Sequence, residues 1–295
     1  MTPSPTAPTR PALRYHGAKW RLAPWILAHF PPLASHDVYV EPFGGSAAVL
    51  LRKPRSPIEV LNDLDDDVVT FFRVMRDMPD ELIRRIALTP FARREWIAAG
   101  QPADDPVEQA RRFYVRSYGS IAGPTAQWRS GWRRQKVLSR RADGSGAMTT
   151  AATAFADVSH LHVVADRLRG VFIEAEDALS LIRRYDHPRA LFYVDPPYPA
   201  ATRQRWAKTA YAHEMTDGQH GQLAAVLNDC RGLVVLSGYN CDLYRELFPA
   251  PAWSTVSREA RTNGRGSATE TLWLNRAVQH APADTLPLFT YQEPS

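Results

Sequence analysis

Directly behind the apolar run Leu191-Phe192-Tyr193-Val194 stand Asp195-Pro196-Pro197-Tyr198, and this junction constrains the chain more than any other stretch. The run reads as a buried strand, and two successive proline rings fix φ near −65° and push each preceding residue into an extended conformation. The Asp195 carboxylate is therefore aimed rigidly out of the strand end. Pro196 carries no N–H, so its neighbourhood offers carbonyl acceptors without a competing donor, and Tyr198 supplies a flat aromatic face. A planar group bearing an NH2 fits that set of Asp195, Pro196 and Tyr198. The plainer alternative is that Pro-Pro merely ends the strand and Asp195 caps the next element of the chain.

Further strands are expected at Val38 to Val40, Ile58 to Leu61, Val171 to Ile173 and Leu233 to Leu236, each short, apolar and bounded by turn residues. Helical spacing of apolar residues places helices at about Lys19 to Phe30, from Ala47 to Leu51 onward, from Asp65 to about Arg76, at Ala178 to Tyr185 and at Thr216 to Asp229. Strands alternating with helices predict an α/β fold with a doubly wound, mainly parallel sheet. Segments around Trp253 to Ser257 and Thr271 to Leu274 suit an antiparallel edge hairpin.

At 295 residues the chain exceeds one ordinary domain, and its charge is unevenly spread. Residues 79–155 hold 13 Lys/Arg against 7 Asp/Glu, while the whole chain carries a formal +5. The excess positive charge thus lies in one block. Within it, residues 111–141 hold nine basic residues and no acidic one, interleaved with Phe113, Tyr114, Tyr118, Trp128 and Trp132. That mixture suits phosphates and stacked bases, with Arg112, Arg116, Tyr118, Arg129, Arg133, Arg134 and Lys136 as candidate contacts; the alternative is a solvated basic helix face. The predicted organisation is a flexible tail over 1–10, a catalytic domain built from 11–78 and 156–277, a mostly helical inserted domain over 79–155, and a flexible tail over 278–295. Cys230 and Cys241 are the only cysteines and have no metal-ligand spacing, so no disulfide framework or zinc site is expected. No apolar stretch is long enough to cross a bilayer, and the reading is a cytoplasmic protein without a membrane partner.

In open α/β sheets, ligands bind outside the carboxyl ends of the strands. After the first strand, Glu41-Pro42-Phe43-Gly44-Gly45-Ser46 permits close backbone approach at Gly44 and Gly45 and offers Glu41 as an acceptor. After the second, Asp63, 18 residues beyond Gly45, is placed to bond the hydroxyls of a ribose. The turn is neither GxGxxG nor GxxxxGK[ST], so a nucleoside without a pyrophosphate fits better. Taken singly, the glycine pair also suits a tight turn and Asn62-Asp63 a strand terminator.

Tyr15-His16-Gly17-Ala18-Lys19-Trp20, Glu41 to Ser46, Leu61-Asn62-Asp63-Leu64-Asp65 and Phe192 to Tyr198 occur in this order. Together they resemble the Dam-type (D12 class) family of DNA adenine-N6 methyltransferases. The resemblance covers about Leu13 to Asn62 and Val171 to Asn275, and the family places its DNA target-recognition domain where the basic block lies. It implies a Rossmann-like methyltransferase fold, S-adenosylmethionine as methyl donor with no metal, base flipping, and double-stranded DNA as substrate, with room for a cognate restriction endonuclease as a separate protein. It also implies that Tyr15 and Lys19 contact the methionine end of the cofactor, that Glu41, Phe43, Gly44 and Gly45 line its cleft, and that Asp63 binds its ribose. Asp177 occupies the position that reads the cofactor adenine, or else caps the helix beginning at Ala178. Asp195, with Pro196 and Tyr198, forms the target-base site and borders the cofactor. Rival readings are an amino-methyltransferase acting on cytosine, RNA or a protein glutamine, and a catalytically silent DNA-binding protein.

Overall fold

The structure is a computed structural model that describes residues 7–121, 123, 131–134, 150–199, 202, 213–261 and 267–281. The strands are β1 (Val38–Glu41), β2 (Ile58–Asn62), β3 (Val171–Glu174), β4 (Ala190–Val194), β5 (Leu233–Gly238), β6 (Trp253–Arg261) and β7 (Ser267–Asn275). They form one sheet in the order β3-β2-β1-β4-β5-β7-β6. The first five are parallel, and β7 and β6 pair antiparallel at one edge. The chain runs outward from β1 through β2 to β3, then returns to the other side of β1 for β4 and β5. The topological switch therefore lies between β1 and β4, where the loops that open with Pro42 and Asp195 emerge side by side.

Alternate residues of each strand enter different cores, as the two-residue period of a strand requires. Tyr39, Leu191, Tyr193, Leu233 and Val235 join one cluster, while Val40, Phe192, Val194, Val234 and Leu236 join the other. The first cluster is covered by α2 (Asp66–Asp77), α3 (Pro79–Ala87), α4 (Arg93–Ala98), α5 (Pro106–Gly119), α6 (Ala151–Ala156) and α7 (Leu161–Leu168), which follow the short α1 (Ala23–Leu27). The second is covered by α8 (Ala178–Tyr185), α9 (Asp217–Asp229) and α10 (Asp242–Leu247), and α11 (Arg276–Gln279) ends the described chain. Helices on both faces of a mostly parallel sheet bear out the mixed α/β expectation.

Two helices differ from the sequence reading. The one expected over 19–30 shrinks to α1, because Pro24 has no N–H to give the carbonyl four residues back. That carbonyl, of Trp20, accepts instead from Arg52 Nη1 at 2.7 Å, and His29 and Phe30 close with i→i+3 bonds. No helix starts at Ala47, whose φ of 53° is left-handed; the stretch to Lys53 is a run of turns.

The described part of residues 79–155 packs on the sheet through its apolar side chains. Leu82, Ile86, Trp96, Phe113, Tyr114 and Phe155 lie in the same core cluster as Tyr39 and Leu191 of the sheet. Ser117 of α5 accepts from the Arg14 backbone N–H at 2.7 Å and donates to the Arg14 carbonyl at 2.8 Å, so this helix carries the segment that leads to Tyr15 and Lys19. The Gly/Ser stretch near Asp143 to Gly146 lies outside the described residues. Among the described residues, no helix is long and apolar enough to cross a membrane.

Candidate active site

The loops after β1 and β4, with the segment before α1, enclose a cleft lined by Tyr15, Lys19, Glu41, Phe43, Gly44, Gly45, Tyr193 and Asp195, together with His16, Gly17, Ser46 and their neighbours. Three separate motifs of the sequence therefore meet in one place, and the fourth, Leu61 to Asp65, lies against its glycine turn. Gly44 lies so close to β2 that a Cβ there would come within 2.6 Å of Leu61 Cδ1 and 3.0 Å of the Asn62 carbonyl oxygen. Gly45 has φ +48°, a left-handed conformation that glycine adopts without cost. Its N–H donates to Asp63 Oδ2 at 2.7 Å, and Asp65 N–H donates to Asp63 Oδ1 at 2.9 Å. Asp63 thus braces the glycine turn while each oxygen keeps a lone pair for another donor. Its burial raises its pKa above the ordinary carboxylate value.

Asn62 ties the strand ends together. Its side-chain amide donates to the Pro42 carbonyl at 2.9 Å and to the Glu176 carbonyl at 3.0 Å, and its Oδ1 accepts from Glu176 N–H at 2.9 Å. The loops after β1, β2 and β3 are locked by one amide. Asp177, beyond Glu176, is exposed and accepts from the N–H and hydroxyl of Ser180, each at 2.9 Å, which makes it the cap of α8 in this structure.

Glu41 is fully sequestered, with its carboxyl accepting from the Tyr39 hydroxyl. Burial pushes its pKa up to about 8 against the opposing pull of that hydrogen bond and of Lys53. Tyr193 presents a buried hydroxyl to the same region, beside the hydroxyl of Ser237.

Asp195 leaves β4 and meets Lys19, whose Nζ lies 2.9 Å from Oδ2 and 3.9 Å from Glu270 Oε1. Lys19 also donates to the Gly17 carbonyl at 3.0 Å and sits 4.8 Å from the centroid of the Tyr198 ring. Burial raises Asp195 to about 6, with Lys19 pulling it down and Glu270 pushing it up. Pro196 is buried beside it. Tyr198 packs edge-to-face on Tyr239 at 4.7 Å, and its hydroxyl donates to Glu270, which accepts from the Ser237 hydroxyl at 2.7 Å as well. In this conformation Lys19, rather than open space, lies over the Tyr198 ring.

The basic block is placed differently from a bare DNA surface. Arg111 pairs with Glu108 at 2.7 Å and with Glu95 at 3.1 Å, Arg112 pairs with Glu108 at 2.8 Å, and Arg116 pairs with Asp67. Tyr118 is buried in the core, its ring 4.6 Å from that of Tyr114. A solvent-facing contact from Tyr118 is thus not available here, because α5 turns that side toward Phe155 and the core. Arg133 and Arg134 follow Trp132, which bridges back to Ser120 at the end of α5. Arg134 is exposed, and the half-buried Arg133 has an Nη1 without a hydrogen-bond partner among the described residues. Arg129 and Lys136 lie outside the described residues, as does the segment from Arg203 to Lys208.

Sequence reasoning missed Glu270, Ser237 and Tyr193. The signal for Glu270 was a single carboxylate inside the otherwise apolar and hydroxylic stretch Thr269 to Leu274. Among the described residues, no group of three or more metal-ligating side chains is assembled to hold an ion.

Residues 15–118 match the model of the D12 class N6 adenine-specific DNA methyltransferase family, a family of transferase enzymes. The match bears out the resemblance read from the sequence; it spans Tyr15, Lys19, Glu41, Gly44, Gly45 and Asp63 and stops before Asp195. No curated protein matches the chain.

Proposed function

We propose, with the D12-class match over residues 15–118 as premise, that this protein methylates the exocyclic amine of adenine in double-stranded DNA, with S-adenosylmethionine as donor. The observation that carries the reading is the meeting of Lys19, Glu41, the Gly44-Gly45 turn and Asp195 in one cleft at the switch point of the sheet. The residues present fit the donor. Tyr193 presents a buried hydroxyl to the cleft, Asp63 has acceptor capacity beyond its two backbone donors, and side chains larger than hydrogen are excluded at Gly44. Lys19 and Tyr15 would hold the methionine end, Glu41, Phe43, Gly44 and Gly45 would line the cleft, and Asp63 would accept from the ribose hydroxyls. Asp177 caps α8 through Oδ1 alone and would contact the adenine end through its other oxygen. Bound there, the donor would supply an activated methyl group on its sulfonium, leaving as a neutral thioether, and the proton displaced from N6 would pass to water.

The chain's own part is orientation. A base inside a duplex cannot present its amine in line with that methyl, so the nucleotide is extruded at a cost of roughly a few kcal/mol. Asp195, with a pKa near 6, is largely a carboxylate above pH 7 and accepts from the amine, with the Pro196 carbonyl as second acceptor. Holding the amine at these two acceptors aims the nitrogen lone pair and stabilises the positive charge that develops on it. The Tyr198 ring would stack on the extruded base once the Lys19 ammonium shifts off its face, keeping Asp195 and Glu270 as partners while one N–H turns to the donor's carboxylate. Arg133 and Arg134 are assigned to phosphate contact, with Arg129 and Lys136 as further candidates.

The test is transfer of labelled methyl from S-adenosylmethionine to unmethylated duplex DNA, followed by nucleoside analysis. N6-methyladenine is the expected product, and Asp195→Ala should abolish it while leaving cofactor affinity within several-fold. Label in cytosine, or no label in DNA, would overturn the reading.

A further inference from the structure

The appended strand β7 carries a carboxylate into the interior. Glu270 is 5% exposed, on a strand whose next residues, Thr271, Leu272 and Trp273, are buried as well. Taking a carboxylate out of water costs several kcal/mol unless donors surround it, so a strand that merely closed the sheet would be better served by an apolar residue. Here Oε1 takes the Tyr198 hydroxyl and the Ser237 hydroxyl, and the Lys19 ammonium stands 3.9 Å away. The same ammonium is 2.9 Å from Asp195. Pairing of Gly238 with Thr271 and of Ser237 with Leu272 sets Glu270 level with the carboxyl end of β5, on the side of the sheet where β1 and β4 open.

We propose that Glu270 is a positioning residue for the methyl transfer: it anchors the hydroxyl of Tyr198 and shares the ammonium of Lys19 with Asp195, so that ring, cation and carboxylate are held in one arrangement. The inference rests on the methyltransferase reading above. Two carboxylates around one ammonium also make the charge of Asp195 depend on Glu270. The groups facing Asp195 are Lys19 from the segment before α1, Glu41 at the end of β1, Tyr193 on β4, Tyr198 beyond it, Tyr244 on α10 and Glu270 on β7. Of these, Glu270 is a carboxylate that both touches Tyr198 and raises Asp195.

Glu270→Gln keeps the shape and one acceptor but removes the charge. Its kcat should fall about tenfold or more while the KM for S-adenosylmethionine stays within about threefold. The acid limb of its kcat profile should move down by about half a pH unit or more, because Asp195 loses a like charge. Tyr198→Phe removes the other end of the same hydrogen bond, and the double variant should fall no further than the worse single one. A wild-type chain that transfers methyl to adenine, beside a Glu270→Gln variant with unchanged kcat and acid limb, would overturn the inference alone. A lowered kcat with an unmoved acid limb and additive losses would also overturn it, as the mark of a merely structural carboxylate. Absence of transfer by the wild-type chain overturns the methyltransferase reading, and this inference with it.

Discussion

The Lys19 ammonium lies 2.9 Å from the Asp195 carboxylate, joining a residue of the segment before α1 to the first residue after β4. The side chains are 7% and 19% exposed, so the pair is screened little by water. Lys19→Met would strand the carboxylate, and removal of one partner of a buried pair costs about 3–5 kcal/mol. Asp195 escapes part of that cost by taking up a proton, since its pKa, already about 6, rises further without the cation. The variant's loss of stability should therefore be large at pH 8 and small at pH 5.5, and thermal melts at the two values check it. Equal losses at both would show that the pair is not coupled to protonation.

The glycine turn makes a separate, steric prediction. A methyl at residue 44 would meet Leu61 Cδ1 at 2.6 Å and backbone at 3.0 Å, so Gly44→Ala should destabilise the fold by about 1–3 kcal/mol. Gly45→Ala meets only the Tyr15 ring, at 3.2 Å, but is strained by φ +48°. It should cost about 1 kcal/mol and weaken binding of S-adenosylmethionine more than its effect on denaturant unfolding suggests, because it shifts the N–H that Asp63 accepts. Calorimetric titration beside urea unfolding separates the two effects.

Much of this was legible in the sequence because strand ends are punctuated. Val194 followed by Asp-Pro-Pro, and Val40-Glu41 followed by Pro-Phe-Gly-Gly, mark where chains leave a sheet, and acceptors placed there converge when the strands are parallel. The partners within the site were not legible. Glu270 reaches Tyr198 across 72 residues, and only the antiparallel addition of β7 brings it there. The pairing of the basic block was hidden for a related reason. A window over 111–141 contains no acid, yet the first turn of α5 supplies Glu108 and its neighbours supply Glu95 and Asp67, the last 49 residues from Arg116. Charge balance is a property of contacts in space, which a sequence window cannot sum.

Glu41 supplies a pH dependence. Its ordinary carboxylate value in the unfolded chain rises to about 8 in the folded one, so between roughly pH 4.5 and 8 the folded state binds the extra proton. Stability from this group is intact at low pH and declines as pH rises through that window. Glu41→Gln cannot ionise, so its unfolding free energy should exceed that of the wild type at pH 8.5 by on the order of 1–3 kcal/mol, with the gap closing at pH 5. A gap that is constant with pH, measured by urea unfolding, would place the ordinary carboxylate value on Glu41 instead.

The arginines of the basic block should separate into two groups under a salt titration. Arg116 is held by Asp67, and Arg112 donates to Glu108 and to the carbonyls of Gln101 and Pro102. Neither guanidinium is free to neutralise a phosphate without breaking contacts inside the protein. Arg116→Ala should therefore cost about 1–2 kcal/mol of stability and leave the salt slope of DNA binding unchanged. Arg134 is exposed, so its replacement by Ala should barely alter stability, while Arg133 is half-buried with its Nη1 inside and its replacement should cost somewhat more. Each should lower the slope of log K against log salt by about 1, uniformly across DNA sequences if the contact is to phosphate. Fluorescence anisotropy with duplex DNA at several salt concentrations makes the measurement. A slope that falls with Arg116→Ala but not with Arg133→Ala or Arg134→Ala would mean that DNA competes successfully with Asp67 and docks along α5.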